Sequence, residues 1–160
     1  MKRYEYGAVM CVLLMMVTSV AVTAQRSRPS VSSAEVTGTY RMNFTGKFRG
    51  SYDEIQIASS GRGKLRVALD LLYPYKMQNG DDMANIGQLD ETFTIDGDTA
   101  TYTSTQLGQC TIKIKFVRPG SIKVTQDGND SDCGFGHNVR SDGMYRKFSS
   151  RKPKFDTQVR

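Results

Sequence analysis

The chain has 160 residues, 38% hydrophobic and 24% charged, with a net charge of +6 and no tryptophan. That length holds one domain around one core, and a domain of this size buries enough surface to fold without a structural metal or a mesh of disulfides. The cationic excess is too small to distinguish a soluble protein from one that meets anionic surfaces, and the cations lack the regular aromatic interleaving of a nucleic-acid binder.

Met1-Lys2-Arg3 precede an uncharged run over residues 7–24, and Val22-Thr23-Ala24 stands before Gln25. A basic start, an apolar middle and a small-residue close predict a signal peptide over residues 1–24, cleaved after Ala24. The competing reading is an uncleaved anchor. The run is short and broken by Thr, Ser and Ala, so no membrane span is expected after signal removal. The mature chain keeps a charge of +5 once Lys2, Arg3 and Glu5 are gone, and export puts it in the periplasm or outside the cell. Cys11 leaves with the signal. In an oxidising compartment the two cysteines that remain, Cys110 and Cys133, are expected to pair.

Residues 25–35 are Ser-rich, carry Pro29 and lack apolar periodicity, which predicts a flexible leader before a domain over residues 36–148. Apolar residues then alternate with polar ones along residues 36–44, 64–71, 111–116 and 121–125, the period of a half-buried strand. Weaker strands are expected over residues 52–58, 84–95, 99–104 and 143–148. Within 84–95 the apolar parity switches between Ile86 and Leu89, which predicts a bulge at Gly87. Turn residues separate these runs, at Gly61-Arg62-Gly63, Asp96-Gly97-Asp98, Arg118-Pro119-Gly120 and Ser141-Asp142-Gly143. Residues 73–83 show no alternation and read as one long loop. No stretch after the signal has helical periodicity over three turns. The expected fold is therefore all-β, an antiparallel barrel of about eight strands, with a β-sandwich as the alternative. Its interior would hold Tyr40, Met42, Leu65, Val67, Leu69, Ile112, Ile114 and Phe116. Residues 149–160 form a basic tail expected to be disordered.

Gly38-Thr39-Tyr40 is similar to the Gly-x-Trp opening of lipocalin-like barrels, with Tyr in place of Trp. The run from Cys133 through Gly134, Phe135, Gly136, Asn138 and Val139 to Gly143 and Tyr145 resembles a C-G-F-G-x-N-V-x-x-x-G-x-Y pattern in a group of small exported bacterial proteins. That resemblance implies a periplasmic or secreted bacterial protein with a disulfide, and it transfers no activity to this chain. Small periplasmic barrels with one disulfide also include lysozyme inhibitors, an analogy of size, location and architecture.

Chemistry-bearing groups are sparse. His137 is the one histidine, without a second histidine or a free thiol to share a metal, and no nucleophile–base pattern stands out, so neither an enzyme nor a cofactor is expected. Asp127, Asn129, Asp130 and Asp132 gather oxygens but fail the calcium-loop spacing at its sixth and twelfth positions, Asp132 and Asn138, so no metal is expected. Candidate binding residues are Tyr73 and Tyr75 on the long loop, and Phe135, His137 and Asn138 between flexible glycines; each set also reads as structural cover for a barrel end. The expected function is a non-catalytic binding protein of the bacterial envelope, monomeric, holding a small apolar ligand or a protein partner. The alternatives are inhibition of a hydrolase such as lysozyme and docking on an anionic surface through the tail.

Overall fold

The computed structural model describes residues 30–117 and 120–155. The expected signal peptide, most of the expected leader and the end of the expected tail lie outside the described residues. A helical turn, α1 (Ser33–Val36), precedes eight strands: β1 (Gly38–Asn43), β2 (Tyr52–Gly61), β3 (Lys64–Lys76), β4 (Asp82–Asp96), β5 (Thr99–Ser104), β6 (Cys110–Val117), β7 (Ser121–Asp127) and β8 (Gly143–Ser149). Each pairs antiparallel with its sequence neighbour, and β8 pairs back onto β1. This closure makes a barrel, not a sandwich, and removes the two outer sheet edges that would otherwise stay unpaired. Gly38 permits it: a Cβ there would lie 2.3 Å from the Ser149 carbonyl oxygen, on a backbone with φ +149°.

Alternation along the strands fills the interior. Tyr40, Ile55, Ile57, Leu65, Val67, Leu69, Leu71, Phe93, Ile112, Ile114, Ile122, Val124 and Tyr145 are all at most 2% exposed, and Met42 packs half-buried against them. Side chains therefore occupy the barrel axis, as in other small eight-stranded barrels.

The connections sort onto two ends. The lower end carries the tight β2–β3 and β4–β5 turns, the paired ends of β6 and β7 at Val117 and Ser121, and α1. Residues 30–35, expected within the flexible leader, are instead built into the domain. Ser32 and Glu35 form a reciprocal capping box, Val36 is buried and Val31 packs on the core. The Tyr40 hydroxyl lies 3.0 and 3.1 Å from the carbonyl oxygens of Glu35 and Val36, and the Lys147 ammonium reaches the carbonyls of Glu35 and Thr37. Apolar surface at Val31 and Val36 and these side-chain donors explain why so short a helical element persists.

Two expectations about β3 and β4 are corrected. Residues 73–83 are not a long loop: the two strands run in unbroken register from Lys64↔Thr94 to Lys76↔Asp82. The missing alternation reflects a hairpin whose last pairs stand clear of the core, so neither face needs to be apolar. Pro74 fits because its nitrogen points away from β4, past Asp70 where β2 stops pairing. Nor is there a bulge at Gly87. Ile86 faces outward, 55% exposed, and Gly87 faces inward in the same uninterrupted ladder.

Candidate functional site

The upper end of the barrel carries the β1–β2, β5–β6 and β7–β8 connections and the β3–β4 hairpin, which projects past the wall. Where it leaves the wall, Asp53 on β2 turns inward, and its Oδ1 accepts the Leu72 N–H at 2.7 Å. The carboxylate thus supplies the acceptor that β2 no longer offers. Burial pushes the Asp53 carboxyl up to about 6; the Leu72 N–H opposes this and nearby Asp70 adds to it. Tyr145 lies beside it, its hydroxyl donating to the Ser141 carbonyl at 3.0 Å, and burial raises its pKa far above the ordinary phenol range.

Residues 128–142 fold over this end as a plug. The Cys110–Cys133 disulfide ties the plug to β6. Buried Gln126 organises its base: Oε1 accepts the Ser141 N–H at 2.9 Å and hydroxyl at 3.0 Å, while Nε2 reaches the carbonyls of Gly128 and Asn129. Arg140 spans the Gln126 carbonyl and the Asp142 carboxylate. The oxygen-rich run over residues 127–132, which lacks the calcium-loop spacing, spends its oxygens on the loop itself. Asn129 Oδ1 accepts the Asp132 N–H and the Ser131 hydroxyl at 2.8 Å each, and Asp132 Oδ2 accepts the Asn129 N–H. Asp130 takes the N–H groups of Asn138 and Ser131, which hold its carboxyl below the usual range.

All five expected binding residues come to this end, in different roles. The hairpin and the plug are stitched together: the Gly136 N–H donates to the Ile86 carbonyl at 2.9 Å, and the Asn85 amide donates to the His137 carbonyl at 2.7 Å. Asn85 sits opposite Tyr73 in the hairpin, and Tyr75 sits opposite Met83. Phe135 is the anchor rather than an open contact. It is buried over Gly87, where a Cβ would lie 3.0 Å from its ring and 2.7 Å from Val139 Cγ1. The His137 ring is 82% exposed, its Nδ1 3.7 Å from Asp130 Oδ2. Asn138 is exposed and takes positive φ, 63°.

Nothing matches this chain among protein-family models, curated proteins or solved structures.

Sequence reasoning missed three contributors to this surface. Met83 and Ile86, on β4, and Leu107, on the β5–β6 connection, are exposed large apolar side chains, as are Tyr73 and Met77. Leu107 borders Gly134, which adds an exposed apolar side chain beside the plug, while Ile86 lies on the opposite face of the hairpin from Tyr73 and Met83. The signal was present in the out-of-parity Ile86: an apolar residue on a solvent face breaks the alternation just as a backbone bulge would. Among the described residues no helix is long and apolar enough to cross a membrane.

Proposed function

We propose that this is a non-catalytic binding protein of the bacterial envelope, and that it grips a protein partner with the upper rim of the barrel. The observation that carries this reading is the projecting hairpin, which exposes Tyr73, Met77, Met83 and Ile86 beside an anchored plug. Exposed Tyr and Met on a braced scaffold are the composition of protein-binding surfaces. The filled interior argues against the other expected occupant, a small apolar ligand carried inside the barrel. Export is supported by the Cys110–Cys133 bridge, since such bonds persist in oxidising compartments. A convex hairpin tip also suits a concave partner such as a hydrolase cleft, which keeps inhibition as the form this binding would take.

Native mass spectrometry of the mature protein from its own envelope tests the proposal. The expected result is a protein partner retained by the wild type and lost from a Tyr73→Ser, Met83→Ser chain of unchanged melting temperature. A denaturation-sensitive apolar small molecule, retained by both chains, would overturn it in favour of a carrier.

A further inference from the structure

The outer face of β2, β3 and β4, away from the upper rim, holds a trough of about 570 Å³. Its floor is the cross-strand row Gln56, Ala68 and Asp90, with the row Glu54, Asp70 and Gln88 beside it. The small Ala68 in the middle strand makes the depression. On the outer face three carboxylates line the trough, Glu54, Asp70 and Asp90, against one cation from the barrel, Arg66. Arg66 is fixed flat by Asp90, with Nε and Nη2 at 2.9 and 2.7 Å from its two carboxylate oxygens. Glu54 is held by Arg41 at 2.7 Å. Asp70 faces the weaker Gln88 amide at 3.5 Å.

The chain's own C-terminal segment enters this trough. Past β8 it crosses the outside of the barrel, and Lys154 and Phe155 line the depression. The Phe155 ring lies 4.4 Å from the Arg66 guanidinium carbon, and Phe155 is half-buried, as are Glu54, Gln56, Arg66 and Ala68 beneath it. Of the tail expected over residues 149–160, the segment as far as Phe155 is described: Lys154 is exposed at the edge of the depression, with its aromatic neighbour on a pre-positioned guanidinium. With Glu54 held by Arg41 and Asp90 by Arg66, Asp70 is the lining carboxylate left to an amide, and a cation on this edge and a ring on a fixed arginine are complementary to the trough in two different physical ways.

We propose that the trough is a peptide-binding site for a basic residue followed by an aromatic one, and that Lys154 and Phe155 occupy one side of it in cis. A partner's segment of the same chemistry would compete with the tail for the Arg66 guanidinium.

The test uses the full mature chain. A labelled peptide of residues 150–157 is titrated, by fluorescence anisotropy, into the wild type and into a Phe155→Ala chain that frees the Arg66 face of the trough. The peptide is expected to bind the Phe155→Ala chain, and the wild type at least about tenfold more weakly, because a tethered tail competes at a millimolar effective concentration. Adding Arg66→Ala to the Phe155→Ala chain should weaken binding about two- to fivefold, the loss of one exposed cation–π contact. A peptide with Lys154→Glu and Phe155→Ser should not bind. Equal binding to wild type and Phe155→Ala would overturn the cis assignment, as would a concentration-dependent dimer that Phe155→Ala abolishes, since the tail would then sit in a second copy. Because the protein has no tryptophan, a Phe155→Trp chain gives a second readout. Its indole should be shielded from acrylamide relative to the free peptide, and quenching as fast as in the peptide would overturn the proposal even if the titration were too weak to read.

Discussion

Asp53 should make this protein less stable as the pH rises through the mildly acidic range. Its carboxyl is held near 6 in the folded chain, against an unfolded value of about 4. Between those values the folded state binds the proton more tightly, so stability falls as pH rises across the window and stays lowered above it. Two units at about 1.4 kcal/mol each amount to about 3 kcal/mol, a large share of the roughly 5–15 kcal/mol that holds a domain together. Asp53→Asn removes this titration while leaving an amide oxygen to accept the Leu72 N–H. Urea unfolding of both chains between about pH 4 and about pH 7.5 isolates the effect, because every other group cancels in the difference. The stability of Asp53→Asn relative to wild type should climb by about 2–3 kcal/mol over that range. The buried amide N–H groups add a constant offset that does not change with pH. Parallel profiles would refute the reasoning, and would mean that water reaches Asp53 or that the Leu72 N–H outweighs burial.

Replacing Cys110 and Cys133 by Ser should cost roughly 3 kcal/mol, the chain-entropy value for a loop closed across 23 positions, and should speed amide exchange in residues 129–139 more than in β2 or β3. Gly87→Val places a side chain where Phe135 and Val139 already stand; it should destabilise by about 1–3 kcal/mol and loosen the Gly136 N–H, seen as lost exchange protection at that amide. Gln126→Leu leaves the Ser141 N–H and hydroxyl buried without their acceptor, at a cost of about 1–3 kcal/mol in denaturant unfolding. Tyr73→Ser and Met83→Ser sit on an exposed rim, so together they should move stability by less than about 1 kcal/mol, measured by the same unfolding curves.

Period-two alternation made the barrel legible from sequence wherever one strand face is buried, because the pleat forces residues such as Leu65, Val67 and Leu69 onto a common side. The turn residues and the pair Cys110 and Cys133 were equally local signals. The end of β3 was not legible, since a hairpin that leaves the core has no apolar face to impose a pattern. Position decided the rest. Phe135 became an anchor because Gly87 lies beneath it, far away in the chain; Asp53 acquired its displaced titration because β2 stops pairing beside Leu72; and Phe155 found Arg66 because the barrel brings β3 under the tail. Sequence patterning by itself determined that this chain would pair its strands around one apolar interior. Tertiary structure alone decided which polar groups were buried, which apolar ones stayed in water and which distant segments met, since those outcomes depend on register and closure and not on any residue's immediate neighbours.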